Sequence, residues 1–355
     1  MGTEMSDDYL YDGTAEPDLE IVRLEQMLGR LRSTASAPSL AANHERRTTN
    51  HERRTPNNER RTIYLGVRFS GPALAAAAAI ALMIGLAWRS TAPAPSWDVA
   101  VIVGTPRIGG SVLVGDGRIA VGQTLTTDEG SRAKVEVSDI GQVTVDERTR
   151  VRLVETREGH HRLALERGTL HAAIAAPPGQ FVVNTPSATA TDLGCIYSLH
   201  VDEDGSGMLS VEAGWVAFEE HGRESFVPAG ASSRTDRVNG PGTPRYDDTE
   251  QAFRDALDEV DSGHDAARRT ASLRFVLEHA RGRDAMTLWH LISRVEGTDR
   301  VAAIDALDAQ VPMPVDISRD AVLRVDRAAL DQWWDRLGLN EASWWRMWKI
   351  GRAIR

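Results

Sequence analysis

Cysteine and lysine are both scarce in this sequence. Cys195 is the sole cysteine among 355 residues, so the chain forms neither an internal disulfide nor a cysteine-based zinc cluster. Only Lys134 and Lys349 are lysines, and the many arginines indicate a GC-rich, bacterial genome. The formal net charge of −10 argues against a direct nucleic-acid partner, because nucleic-acid binders are normally basic. We expect Cys195 to be a small buried residue that forms no bond.

Sequence motifs of catalysis and cofactor binding are also lacking. There is no G-x-S-x-G, no H-E-x-x-H and no Walker loop. The run Asp202-Glu203-Asp204-Gly205 resembles the start of a calcium loop, but no acidic residue follows at its twelfth position. We therefore predict that the chain is not an enzyme and has no catalytic residue, cofactor or metal site.

One long run of the sequence is free of charge. Residues 71–88 read GPALAAAAAIALMIGLAW and would reach about 27 Å as a helix, enough to cross the hydrocarbon core of a bilayer. The run predicts a single transmembrane helix. The alternatives are a buried core helix and a cleaved signal peptide, since Ala92-Pro93-Ala94 resembles a cleavage site. A signal peptide, however, begins nearer the N-terminus and has a shorter apolar run.

The arginines around this run indicate its orientation. Seven precede it closely: Arg46, Arg47, Arg53, Arg54, Arg60, Arg61 and Arg68. Only Arg89 follows before Arg107, so the positive-inside rule places the N-terminus in the cytoplasm. Residues 89–96 are a Pro/Ala linker that clears the bilayer. The predicted localisation is the bacterial inner membrane, with the later domains in the periplasm.

The predicted cytoplasmic part has two segments. Residues 1–42 are acidic and contain one amphipathic helix, with its apolar positions at i, i+3, i+7 and i+10: Ile21, Leu24, Leu28 and Leu31. One helix leaves this stripe unburied, so we expect it to bind a protein partner; the alternative is a frayed helix without a role. Residues 43–69 repeat a polar heptapeptide that lacks apolar seam positions, which predicts a disordered basic tether.

Short alternating strands fill residues 97–236. Ala133-Lys134-Val135-Glu136-Val137 and Val143-Thr144-Val145 are typical, and glycine-containing turns separate them. Strands this short and this regularly spaced predict an all-β sandwich or a rolled, β-solenoid-like sheet.

Several motifs of this β region occur in an order that resembles the FecR domain. They are Val121-Gly122-Gln123-Thr124-Leu125, Leu165-Glu166-Arg167-Gly168-Thr169-Leu170, Phe181-Val182-Val183-Asn184-Thr185-Pro186, Leu193-Gly194-Cys195-Ile196-Tyr197, Val211-Glu212-Ala213-Gly214-Trp215-Val216 and Val227-Pro228-Ala229-Gly230. The resemblance implies an inner-membrane, anti-sigma-type regulator that relays an envelope signal to a cytoplasmic sigma factor. An unidentified envelope protein or ligand would then be the outer partner. The alternative function is a membrane-tethered envelope scaffold or binding protein, for a protein or glycan, without a transcriptional role.

The C-terminal third changes to helical periodicity. Residues 237–250 are rich in glycine and proline and predict a hinge, and residues 251–355 predict an α-helical domain. The whole chain is thus predicted as a multi-domain α+β protein. Five tryptophans lie near the end: Trp333, Trp334, Trp344, Trp345 and Trp348. They suit three roles, namely core packing, a protein-docking patch or contact with the membrane surface.

The predicted orientation is tested by a reporter that is active only outside the cytoplasm. Alkaline phosphatase fused after Arg355 should be active in intact cells, and the same enzyme fused after Arg68 should be inactive. Immunoblotting shows whether each fusion is stable. A stable but inactive fusion after Arg355 would contradict the orientation.

Overall fold

The computed structural model describes residues 94–339, which all belong to one compact unit. This part of the chain has an α+β fold, with a large sheet followed by helices. None of the helices it describes has the length and apolar character needed to cross a membrane. Several predicted features lie outside the described residues: the helix within 1–42, the tether 43–69, the span 71–88, and Trp344, Trp345 and Trp348.

Eighteen strands occur in the described β region. In chain order they are β1 (Ser96–Val103), β2 (Arg107–Ile108), β3 (Ser111–Val112), β4 (Gly117–Ala120), β5 (Thr124–Thr126), β6 (Arg132–Val137), β7 (Gly141–Val145), β8 (Arg150–Arg157), β9 (His160–Ile174), β10 (Phe181–Asn184), β11 (Thr189–Asp192), β12 (Ile196–Val201), β13 (Gly207–Ala213), β14 (Trp215–Glu220), β15 (Arg223–Pro228), β16 (Ala231–Asp236), β17 (Gly240–Pro241) and β18 (Arg245–Tyr246).

The strands form two layers that are joined through β9. The first sheet has the order β4-β1-β6-β7-β9-β12-β13-β16, with β17 and β18 paired to β16. The second sheet has the order β3-β2-β5-β8-β9-β10-β11-β14-β15. Neighbouring strands are antiparallel except β9 and β10, which are parallel. Apolar side chains from both sheets meet in one core.

The long strand β9 passes from one sheet to the other at Gly168. Its first half pairs with β8 and its second half with β7 and β12. The buried positions change from odd, as at Leu163 and Leu165, to even, as at Leu170 and Ala172. Gly168 has φ +86°, and a Cβ atom there would lie 2.3 Å from Thr149 Oγ1. Glycine is therefore required at the point where the strand changes layers.

Six α-helices follow the strands in the described residues, with one short 3-10 helix, Gly282–Asp284, among them. The α-helices are α1 (Gln251–Ser262), α2 (Ala266–His279), α3 (Ala285–Ile292), α4 (Gly297–Gln310), α5 (Arg319–Leu323) and α6 (Arg327–Trp334). The side chains of Asp265, Ser318 and Asp326 cap the N-termini of α2, α5 and α6 by accepting backbone N–H bonds. Every residue of α3 is buried, so this helix is enclosed on all sides.

The helices cover the outer face of the second sheet at β14 and β15. Val216, Ala217 and Phe218 are all buried, although successive residues of a strand point to opposite faces. Because both faces of this strand are buried, a layer of the protein must cover each face. The β core lies on one side of this hairpin and the helices lie on the other.

The segment predicted as a hinge, residues 237–250, is a packed part of the sheet. It contributes β17 and β18, and residues 240–246 are all buried. The carbonyl of Gly242 accepts bonds from the hydroxyls of Ser225 and Ser233, both at 2.8 Å. Glycine and proline occur here because the chain makes tight turns between strands. The polar groups of the segment are satisfied by hydrogen bonds to neighbouring strands.

Candidate functional site

The β14–β15 hairpin places the polar groups of the candidate site. Its turn residues His221 and Gly222 have φ +52° and +77°, the pair of positive values that a two-residue type I′ turn needs. The strands pair in register from Trp215 with Pro228 to Glu220 with Arg223. The turn therefore closes the ends of the two paired strands, and His221 and Gly222 are both exposed.

An aromatic cluster joins this hairpin to the helices. The ring centroid of Trp334 lies 5.8 Å from Phe226, 6.0 Å from Trp215 and 4.8 Å from Trp289, each with an edge-on orientation. Trp333 and Trp334 are 0% and 3% exposed. Of the three roles predicted for the tryptophans, Trp333 and Trp334 have the first: they pack in the core, because their rings fill the space between the sheet and the helices.

His290 of α3 makes a direct bond to the sheet. Its Nε2 accepts the backbone N–H of Phe226 at 3.0 Å, and its Nδ1 lies 2.8 Å from the carbonyl oxygen of Met286. The accepting Nε2 leaves the proton on Nδ1, so the ring is neutral. Burial, and then the nearby charge of Arg294, lowers the pKa of His290 to about 3. At neutral pH the uncharged imidazole of His290 therefore makes a fixed hydrogen bond to the sheet.

The guanidinium of Arg294, just beyond α3, reaches four groups of the sheet. It donates to Ser225 Oγ at 2.6 Å, to the carbonyl of Glu224 at 3.0 Å, to Thr243 Oγ1 at 3.0 Å and to the carbonyl of Pro241 at 3.2 Å. Burial lowers its pKa to about 9, which leaves it charged at neutral pH.

The carboxylate of Asp261 neutralises this buried charge. It lies on α1, 3.5 Å from Arg294 and 2.6 Å from Arg223 of β15. It also accepts the backbone N–H of Thr243 at 2.5 Å and the hydroxyl of Thr243 at 2.8 Å. We call Arg223, Asp261 and Arg294, with Ser225 and Thr243, the junction network. It ties α1 and α3 to β15 and to the segment before β18, and its ionic groups are engaged in pairing rather than in proton transfer.

Two clefts flank the hairpin turn. The first, about 510 Å³, lies on the outer face of the second sheet between Arg162, Thr189 and the turn. The second, about 440 Å³, lies between the turn and the helices, with Trp289 and Leu330 in its wall. Both clefts are lined by residues 221–224 and by Arg327. Their volumes are within the range of ligand sites in proteins.

A second buried polar group lies at the turn between β11 and β12. The thiol of Cys195 donates to Asp192 Oδ2 at 2.7 Å, and Asp192 Oδ1 accepts the N–H of Gly194 at 2.7 Å. Burial raises the pKa of Asp192 to about 7 and raises the pKa of Cys195 far above its usual range. Cys195 is buried, as predicted from the sequence, and its thiol stays protonated and unreactive.

The predicted partner-binding residues Ile21, Leu24, Leu28 and Leu31 lie outside the described residues. Sequence reasoning did not find the junction network, because its ionic members are ordinary residue types separated by up to 71 positions. Within residues 94–339 no group of three histidine, cysteine or acidic side chains could hold a metal ion.

Comparison with known proteins identifies the β region. Residues 123–217 match the family model described as FecR protein, so the chain contains a FecR domain that spans most of β5 to β14. No curated protein matches the chain. Two crystal structures of a candidate anti-sigma factor from Parabacteroides distasonis ATCC 8503 are similar in part, each with 18% identity and a TM-score of 0.32. Each alignment covers 38% of this chain, and 63% or 62% of the other.

The pKa of Asp192 predicts how its substitution changes stability with pH. The pKa of Asp192 is about 7 in the folded protein, against an ordinary value of 3.8. The contribution of the protonated carboxyl to the free energy of unfolding is therefore fully present below pH 3.8 and is lost as the pH rises through 7. An asparagine side chain does not titrate, so Asp192→Asn should gain on the order of 2 kcal/mol relative to wild type between pH 5 and pH 8. Urea unfolding at pH 5 and pH 8 measures the free energy of unfolding of both proteins. The contributions of the other titrating groups cancel when the variant is compared with the wild type. Parallel pH profiles of the two proteins would contradict the prediction.

Proposed function

We propose that this chain is a bacterial signalling regulator of the FecR type, which relays an envelope signal to a cytoplasmic sigma factor through protein–protein contacts. The observation that carries the proposal is the FecR domain at residues 123–217. Proteins of this family are regulators, and a binding role agrees with the chemistry of the junction network. Its one carboxylate, Asp261, is shared by the guanidinium groups of Arg223 and Arg294, which suits recognition and coupling rather than catalysis.

The proposed topology rests on the sequence. An uncharged run, residues 71–88, separates an arginine-rich segment from the Pro/Ala linker 89–96. We therefore propose one inner-membrane span, with the FecR domain and the helices in the periplasm. In this arrangement the segment 1–42 is the part that reaches a sigma factor.

The periplasmic part would sense its partner as one body. The junction network and the bond from Phe226 to His290 fix the helices on β15, which pairs with β14 at the end of the FecR match. A partner that contacts either element therefore acts on both. The clefts beside the hairpin turn are the concave surfaces on which an envelope protein or ligand would bind.

A membrane-tethered scaffold without a transcriptional role is the second candidate. The observation in its favour is that both clefts and the network belong to the outer domains and require no cytoplasmic partner. The two functions differ in whether the segment 1–42 binds a sigma factor.

The apolar stripe of the helix predicted within residues 1–42 provides the test. Leu24→Asp with Leu28→Asp should weaken binding to a sigma factor encoded beside this gene more than 100-fold, because burying each leucine is worth about 1.5–3 kcal/mol. The control, Gln26→Asp with Gly29→Asp, adds the same charge to the opposite face and should bind normally. Co-purification and titration of the detergent-solubilised full chain measure both. A wild type that captures no sigma factor, or a stripe variant that binds like the control, would favour the scaffold.

A further inference from the structure

One indole anchors the first strand of the β region across the core. Trp97 lies on β1 of the first sheet and is 2% exposed. Its Nε1 donates a hydrogen bond of 2.7 Å to the hydroxyl of Thr156, which lies on β8 of the second sheet. Its ring also lies 6.5 Å from the ring of Phe181 on β10, measured between centroids. The side chain of Trp97 therefore ties β1 to the opposite layer.

The hydrogen bond from Trp97 continues to a buried histidine. The hydroxyl of Thr156 lies 2.9 Å from Nδ1 of His161, its register partner on β9. An indole N–H can only donate, so the hydroxyl oxygen accepts from Trp97 and its own hydrogen is left to donate to His161. Nδ1 accepts that hydrogen only when it carries no proton. We call Trp97, Thr156 and His161 the indole relay, and it requires a neutral imidazole.

The surroundings of His161 favour the neutral ring. His161 is 5% exposed, and its ring centroid lies 5.9 Å from that of Trp97. Burial lowers the pKa of His161 below its ordinary value of 6.5, and the carboxylate of Asp139 opposes this shift without cancelling it. The charged or titratable groups that act on the ring are Asp139 of the β6–β7 turn, Glu155 of β8 and His160 of β9.

We propose that the indole relay is a proton-sensitive latch, which holds β1 against the second sheet while His161 is neutral and releases β1 when a proton from solvent binds Nδ1. The protonated Nδ1 no longer accepts, so the hydroxyl of Thr156 loses its acceptor. The ring also becomes charged in a buried site, which favours a displaced β1 and a ring in contact with water.

The pH range of the latch follows from linkage between protonation and opening. The closed relay holds a histidine whose pKa is lowered, whereas a displaced β1 leaves the histidine in water with its ordinary pKa of 6.5. The closed state is therefore fully stable above pH 6.5 and loses stability as the pH falls below that value. Acidification opens the latch.

The place of β1 in the chain gives the latch its consequence. Trp97 lies nine positions after residue 88, where the uncharged run 71–88 ends. In the proposed topology β1 is the first strand outside the membrane, so its release alters the connection between the span and the FecR domain. This consequence rests on the proposed function, and the signal it implies is an acidic periplasm. The latch itself is a property of the described β region.

Hydrogen–deuterium exchange of the full-length, detergent-solubilised protein tests the latch. Exchange is read by mass spectrometry at pH 8 and pH 5, with exchange times scaled to the intrinsic rate at each pH. Peptides that cover β1 should exchange several-fold faster at pH 5, while peptides from β13 should stay protected and show that the protein is folded. The variant His161→Asn offers an acceptor that does not titrate, so its β1 should be protected at both pH values.

A matched control is the exposed histidine of the same strand. His171→Asn removes the pair between His171 and Asp146 and should leave the response of β1 to pH unchanged. Thr156→Val removes the hydroxyl at nearly constant volume, so its β1 should exchange faster than wild type at pH 8, with no further increase at pH 5.

Two results would overturn the proposal. One is equal protection of β1 at the two pH values in the wild type, and the other is a response to pH that His161→Asn retains. No sigma factor takes part in these measurements. A failed latch therefore leaves the proposed function standing, and a failed sigma-factor interaction leaves the latch standing.

Discussion

The carboxylate of Asp261 is the ionic centre of the contact between the helices and the β sheet. Asp261 lies between Arg223 and Arg294, and all three belong to different elements of the junction. Charges are costly to bury, so such a group persists only where its pairing and hydrogen bonds are nearly complete. Arg294 donates to the carbonyl of Glu224 and to the hydroxyls of Ser225 and Thr243 at the same time, so it joins the helices to two separate segments of the sheet region.

The other features of the site follow from that arrangement. With α3 fixed, His290 meets the N–H of Phe226, and Trp334 meets the aromatic face of the hairpin. The turn at His221 and Gly222 is left exposed, and a cleft remains on each side of it. Arg223 borders both clefts and pairs with Asp261, so a ligand in either cleft contacts the network directly. This geometry gives the proposed regulator a sensing surface that is coupled to both the strands and the helices.

Local signals predicted much of this fold and little of the junction. Alternation in Val143-Thr144-Val145 and its neighbours identified strands because burial of one face has a period of two. The FecR motifs and the burial of Cys195 were also predicted. The glycines and prolines of residues 237–250 suggested a hinge, because sequence shows broken periodicity but not the hydroxyls that satisfy the segment. Bonds between Arg294 and Glu224 join residues 70 apart, which no local pattern reveals.

The claim that Asp261 locks the junction is tested most directly by its neutral isostere. Asp261→Asn leaves the buried guanidinium of Arg294 and the partly buried guanidinium of Arg223 without their counter-charge, and should lower the free energy of unfolding by about 3–5 kcal/mol. The matched variant Asp305→Asn removes the exposed ion pair with Arg319 and should cost less than about 1 kcal/mol. Urea unfolding of both full-length variants beside wild type gives the comparison. Equal, small losses in the two variants would contradict the account.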